Sequence, residues 1–174
     1  ASEVAKQLVE MGIVHPQPSW TSDGFRQAAQ RLQEQIDPRD HAIALRNLAK
    51  VLSWAGKVDE AIDYTARLVG DDPDPDPSAR VELAIMYMMA DREDDALSQV
   101  NQVLLEQSGR MDALRLMAII NFHKGSYDSA WDDFHDLLAS GQYRMDALYY
   151  LGRIADIREE TDDAIRFYSE VTHG

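Results

Sequence analysis

The sequence predicts an all-α protein built as a right-handed α-α superhelix, a solenoid of antiparallel helix pairs. Three observations support this. Residues 110–114 read Arg-Met-Asp-Ala-Leu and recur unchanged at residues 144–148, which is 34 residues later. An alanine that follows acidic residues or a serine recurs at nearly the same spacing, at Ala61, Ala96, Ala130 and Ala164. Each period also contains two stretches with apolar residues three and four positions apart, which is the pattern of two amphipathic helices.

The first part of the chain, residues 1–40, shows the period only weakly. We expect a degenerate or partial helical repeat there, with helices near residues 4–11 and 23–36 and a proline-containing loop between them. Because the first residue is Ala1 rather than methionine, we also interpret the sequence as an excerpt from a longer or processed chain.

About four repeats are predicted for residues 41–174, at residues 41–74, 77–109, 110–143 and 144–173. In the first repeat, Leu45, Leu48 and Leu52 form an apolar stripe that ends at Gly56, and a second helix follows. The later helices are predicted at residues 78–90 and 93–106, 111–124 and 127–139, and 145–157 and 161–171.

The breaks between paired helices differ in residue type. Gly56 and Gly125 stand where a helix C-terminus favours a left-handed residue, whereas Asp91 and Glu159 occupy the equivalent breaks of the second and fourth repeats. We therefore expect less favourable turns in those two repeats. Residues 70–77 carry three prolines and predict an exposed, non-helical linker between the first two repeats.

Composition restricts the class of partner. The chain has 31 acidic and 17 Lys or Arg residues, a formal net charge of −14, so a nucleic-acid partner is not expected. No apolar run is long enough to span a bilayer, so this chain is not expected to insert into a membrane directly. The absence of cysteine excludes disulfides, a thiol nucleophile and a cysteine zinc site.

These residues resemble the tetratricopeptide-repeat (TPR) family over about residues 41–173. The family repeat has about 34 residues and carries a large apolar residue, Leu followed by Gly or Ala, a small residue on the second helix and a final proline. Ser108 and Gln142 depart from that pattern where the second and third repeats should end in proline, and Asn121 replaces an aromatic residue. The fourth repeat also resembles repeats of bacterial outer-membrane lipoproteins of this family. The matching residues are Leu45, Leu48, Ala49, Leu52, Gly56, Ala61, Leu68 and Pro73; Leu83, Ala84, Tyr87, Ala96 and Val103; Leu114, Met117, Ala118, Gly125, Ala130, Phe134 and Leu137; and Leu148, Leu151, Gly152, Ala155, Ala164, Tyr168 and Val171.

The resemblance implies that the first helix of each repeat lines a concave groove that binds a protein or peptide partner. The candidates include both cationic and apolar side chains. If they line a groove, Met88, Phe122 or Tyr149 should be exposed. A peptide with apolar anchors and an acidic group would suit such a wall. The alternative is that the arginines pair with nearby carboxylates and the apolar residues are core. The candidates are Arg46, Asn47, Lys50, Ile85, Met88, Arg115, Ile119, Phe122, Tyr149 and Arg153.

Some TPR proteins bind the C-terminal carboxylate of chaperones through a set of Lys, Asn and Arg residues. Here Glu82, Asp112 and Leu116 fall where basic or amide residues would be expected, so this partner is not predicted.

No motif predicts catalysis, a cofactor or a metal site. The five histidines lack zinc-binding spacing, and the aspartates of residues 71–76 alternate with prolines where a calcium loop needs flexible residues. The acidic pairs at residues 94–95, 132–133 and 162–163 are interpreted as helix-start charges rather than acid/base dyads.

The sequence therefore favours a non-catalytic scaffold or adaptor that binds a protein partner. The alternative function is a self-associating structural spacer of a longer multi-repeat protein, a homo-oligomer formed through exposed end repeats. Either function is compatible with the bacterial cytoplasm, or with the periplasm and outer membrane through a lipid anchor outside this segment.

Overall fold

The computed structural model describes residues 41–71 and 75–173. Within these ranges the chain forms eight helices and no strand. The predictions for residues 1–40, and for residues 72–74 of the linker, lie outside the described residues. The helices are α1 (His41–Trp54), α2 (Val58–Asp71), α3 (Pro77–Met89), α4 (Glu93–Glu106), α5 (Met111–His123), α6 (Tyr127–Ser140), α7 (Arg144–Ile157) and α8 (Thr161–His173).

The observed helices α3 to α8 begin and end within two residues of their predicted positions. Acidic residues occupy the first turn of α4 and of α8, where they interact favourably with the helix dipole. None of the described helices is long and apolar enough to cross a membrane.

The linker prediction is wrong in part. Helix α2 continues through Gly70 to Asp71, and Pro77 is the first residue of α3 rather than a linker residue. Pro75 is buried, and the Asp76 carboxylate caps α3 by accepting a hydrogen bond of 2.8 Å from the Ser78 amide. Proline is excluded from a helix interior but favoured at the first position, where its missing N–H needs no partner.

All four turns between paired helices share one geometry. In each, the amide of the third residue beyond the helix donates to the carbonyl five residues earlier over 2.9 Å, which is the Schellman arrangement. The residue that turns the chain has positive φ, 78° at Gly56 and 76° at Gly125, but 56° at Asp91 and 62° at Glu159. The last two are strained, because a side chain disfavours this conformation, as the sequence predicted.

Two compact units divide the chain at residue 99, within α4. In the first unit, α2 packs against α1 and α3. Its core contains Leu48, Leu52, Ile62, Leu83 and Met86, all buried. The predicted apolar stripe of the first repeat is therefore a packing surface.

The second unit, residues 100–174, has an aromatic core. The Phe134 ring stacks on Tyr150 at a centroid distance of 4.8 Å, and the Phe122 ring lies 5.0 Å from the same tyrosine. Both contacts join the α5–α6 pair to α7. In each unit the recurring alanines are buried, so their small size permits close helix packing.

Gly152 has a separate packing role on α7. A Cβ atom at this position would lie 2.7 Å from Cε1 of Tyr168 on α8. The absence of a side chain therefore lets the tyrosine ring rest directly on the backbone of α7.

Candidate protein-binding surface

The basic candidates of the first unit are neutralised by carboxylates. Arg46 on α1 forms ion pairs with Asp76 at 2.9 Å and with Glu82 at 3.3 Å, and Lys50 pairs with Glu82 at 2.9 Å. These ion pairs neutralise both cationic side chains and hold α1 against α3. Asn47, on the same helix, is exposed.

Three apolar candidates are core residues. Met88, Ile119 and Phe122 are buried, with Phe122 only 5% exposed, while Ile85 is half-buried. Of Met88, Phe122 and Tyr149, at least one of which was expected to be exposed, only Tyr149 is, and the other two follow the alternative that the apolar candidates are core. For Phe122 the reason is visible, because the Tyr150 ring and the Arg153 guanidinium both lie over it.

Arg115 also serves packing. It forms an ion pair with Asp146, which links α5 to α7, and its guanidinium lies 4.6 Å from the centre of the Tyr143 ring. Burial raises the pKa of the Asp146 carboxyl, although the arginine beside it acts in the opposite direction. Arg115 thus contributes little free charge to a binding surface.

Tyr149 and Arg153 differ from the other candidates. Tyr149 is 41% exposed, and the Arg153 guanidinium lies 4.6 Å from the Phe122 ring centre and 5.8 Å from that of Tyr149. Within the described residues no carboxylate forms an ion pair with Arg153, and its Nη1 is buried without a hydrogen-bond acceptor. A half-buried arginine that lies over aromatic rings and has no carboxylate beside it can donate a hydrogen bond to an acceptor on a partner.

Met145 extends this surface and is not among the residues predicted from the sequence. It lies one helical turn before Tyr149 on α7 and is 42% exposed. The signal that could have found it was its position four residues before Tyr149, which was itself a candidate. We call Met145, Tyr149 and Arg153 the α7 patch.

The remaining polar groups do not assemble into a chemical centre. In the described part of the chain, no group of three His, Cys, Asp or Glu residues is placed to hold a metal ion. Asp132 and Asp133 lie in the second turn of α6, so their interpretation as helix-start charges is wrong. Burial raises the pKa of Asp133, Asp132 and Asp136 raise it further, and a hydrogen bond of 2.9 Å from Asn121 lowers it.

Comparison with known proteins identifies the fold. No protein-family model matches the sequence, and no curated protein matches it. Among solved structures, the chain is similar to MamA, with a TM-score of 0.71 and 16% identity over 99% of this chain and 94% of that one. It is also similar to a tetratricopeptide repeat protein from Parabacteroides merdae, with a TM-score of 0.74 and 16% identity over 98% of this chain and 66% of that one.

A third similar structure contains TPR-like repeats of a putative kinesin light chain from Podosopora anserina. Its TM-score is 0.69, with 16% identity over 98% of this chain and 90% of that one. At such low identity these similarities establish the architecture and not the partner. The chain has the α-α superhelical fold of tetratricopeptide-repeat proteins.

Proposed function

We propose that this chain is a non-catalytic scaffold that binds a protein or peptide partner through the first helices of its repeats. The α7 patch carries the proposal, because it combines exposed apolar surface with an arginine that lacks an ion-pair partner among the described residues. The fold supports it by analogy, since stacked helix pairs present a long surface suited to another chain.

The residue types of the patch are those that stabilise protein interfaces. Tyr, Met and Arg are enriched there, because each offers large contact area and either adaptability or directional hydrogen bonds. A partner that covers Tyr149 and Met145 would bury apolar surface, and an acceptor on that partner would receive a hydrogen bond from the accessible part of the half-buried Arg153 side chain.

Only some of the predicted groove residues are available to a partner. Met88, Ile119 and Phe122 support the surface from beneath, and Arg46, Lys50 and Arg115 are engaged by carboxylates. Asn47 and Ile85 of the first unit remain candidates for weaker contacts. The partner is a protein rather than a nucleic acid, because a net charge of −14 repels phosphate over most of the surface.

The test is affinity capture of partners from a lysate of the source organism, followed by measurement of binding with the purified partner. A double variant, Tyr149→Ala with Arg153→Ala, removes the patch. The matched control is Leu105→Ala with Arg92→Ala, which removes an apolar residue that is 86% exposed and an arginine that pairs with Asp95.

A partner that loses roughly tenfold or more in affinity to the patch variant, but binds the control as well as wild type, would support the proposal. Equal binding by both variants would place the interface elsewhere and contradict it. Failure to capture any partner, together with self-association of the purified chain, would favour the spacer function instead.

A further inference from the structure

The five-residue segment Arg-Met-Asp-Ala-Leu stands at the start of both α5 and α7, but its charged side chains pair differently in the two places. At the start of α5, the Arg110 guanidinium donates hydrogen bonds of 2.8 and 3.1 Å to the carboxylate of Asp112. At the start of α7, the equivalent aspartate, Asp146, pairs with Arg115 of α5 instead. An identical sequence therefore forms a local ion pair in one place and an ion pair between helices in the other.

The backbone at the two helix starts differs as well. Arg110 precedes α5 and is extended, with φ −80° and ψ 99°. Arg144 is already the first residue of α7, and it pairs with Glu170 of α8 at 2.6 Å. Helix α7 thus begins one residue earlier in the repeated segment than α5 does. The residue that precedes it, Tyr143, is left-handed, with φ 52° and ψ 33°.

Residue type and backbone conformation do not match at these two positions. Tyr143 is bulky and has positive φ, whereas the equivalent Gly109 does not, although glycine adopts positive φ without strain. The Arg115 guanidinium lies 4.6 Å from the centre of the Tyr143 ring and also pairs with Asp146, so this one side chain holds both residues in place. Strained conformations that persist because neighbouring contacts impose them are typical of switch regions.

The ion pair that holds Asp146 carries a cost of its own. The Asp146 side chain is 21% exposed, whereas that of Asp112 in the local pair is 39% exposed. Burial raises the pKa of the Asp146 carboxyl even though Arg115 lies beside it, so the ion pair does not recover the whole cost of removing the carboxylate from water. Relaxation of Tyr143 and exposure of Asp146 therefore both favour the arrangement that α5 shows.

We propose that the start of α7 is a conformational switch with two arrangements. In the first, Tyr143 is left-handed and Asp146 pairs with Arg115. In the second, Tyr143 has negative φ, α7 begins one residue later, and Asp146 pairs with Arg144, as in the equivalent pair at the start of α5. The second arrangement releases the Arg115 guanidinium, which then binds a carboxylate on another molecule. The exchange is a property of the chain alone, and only the use of the released arginine rests on the proposed function.

The first experiment separates the backbone of Tyr143 from its ring. Tyr143→Gly and Tyr143→Val both remove the ring, but glycine keeps positive φ without strain, whereas the β-branched valine strongly disfavours it. In each background, double-mutant cycles of the full chain combine Asp146→Asn with either Arg115→Gln or Arg144→Gln. Urea denaturation of these variants gives the coupling between the two side chains.

We expect the glycine variant to retain the coupling between Asp146 and Arg115. In the valine variant that coupling should be lost, and a coupling between Asp146 and Arg144 should take its place. Loss in both variants would show that the ring rather than the backbone holds the ion pair. Loss in both, retention in both, or loss without the new coupling would each overturn the inference.

The second experiment uses the wild-type chain, so it decides the question even if the valine variant does not fold. Relaxation-dispersion NMR should detect exchange on the microsecond-to-millisecond timescale at the amides of residues 142–146. The equivalent amides of residues 108–112, where the local ion pair is already formed, provide the internal control and should show no exchange. Equal behaviour of the two segments, with or without exchange, would contradict the inference.

Discussion

The third and fourth helix pairs, α5–α6 and α7–α8, are built on the same period but have different surroundings. Phe134 in the third pair is buried against Tyr150, whereas Tyr168, its equivalent in the fourth, is only half-buried. Gly125 turns the chain in the third pair, and Glu159 does so in the fourth. The two pairs therefore share the same helices, while the residues on their surfaces differ with the burial of each surface.

The largest expected difference concerns the aromatic residues on the second helices. Phe134→Ala should lower the free energy of unfolding by about 3–5 kcal/mol, because a buried ring is lost and a cavity is left. Tyr168→Ala should cost roughly half as much or less, since part of its ring is already in water. Urea denaturation of both variants measures the difference, and equal losses would contradict the role of the different burial of the two rings.

The next effect tests the close approach at Gly152. Gly152→Ala should destabilise the protein, because overpacking against Tyr168 costs about 1–3 kcal/mol and exceeds the ~1 kcal/mol that alanine gains in helix propensity. In a Tyr168→Ala background the same substitution should become stabilising by about 1 kcal/mol. A cost that is unchanged in that background would show that the tyrosine is not the obstacle.

Substitutions at two turn residues should change the free energy of unfolding in opposite directions. Gly125→Ala should lower the free energy of unfolding by about 0.5–1 kcal/mol, and Glu159→Gly should raise it by a similar amount, because only glycine adopts positive φ without strain. A Cβ at Gly125 would meet no atom within 4 Å, so its effect reports the backbone alone. Thermal unfolding of the two single variants provides the comparison, and a shift of the same sign in both would refute it.

The smallest effect is a pH dependence at Asp133 of the third pair, which stands at the position that Phe167 occupies in the fourth. The pKa of Asp133 is raised in the folded protein, so its ionisation weakens the fold as pH rises above the ordinary value of 3.8. Asp133→Asn should therefore be more stable than wild type at about pH 7, and this advantage should shrink toward about pH 4.

The matched control for that prediction is Asp132→Asn, which removes an exposed carboxylate from the same helix. Denaturation at both pH values should show a smaller change for this variant. An Asp133→Asn variant whose relative stability does not depend on pH would contradict the assigned role of burial.

The helices and turns were predictable because their signals are local. The period located α3 to α8, and glycine at Gly56 and Gly125 marked the left-handed turns. The same reasoning failed for residues 70–77, where the prolines indicated a linker. A proline is equally consistent with the first position of a helix, and the Asp76 cap decides between the two.

The candidate surface was predicted less well. On the first helix of a repeat, the residues that would line a groove and the residues that pack in the core are both apolar and lie on adjacent stripes. The sequence pattern does not separate the two stripes, and the groove candidates Met88, Ile119 and Phe122 are buried. Whether an arginine is neutralised depends on carboxylates distant in sequence. Asp76 lies 30 residues from Arg46, and no local pattern relates them.

The sequence by itself determined that the chain repeats every 34 residues as a helix, a turn and a helix, because backbone hydrogen bonds and amphipathic patterns depend on neighbours along the chain. Only the tertiary structure decided which side chains remain available to a partner. A side chain is exposed or buried according to whether the next helix pair covers it. A charged side chain is neutralised only where that pair brings a group of opposite charge beside it. That is why Arg46 and Arg153, both predicted to line the same groove, differ in role.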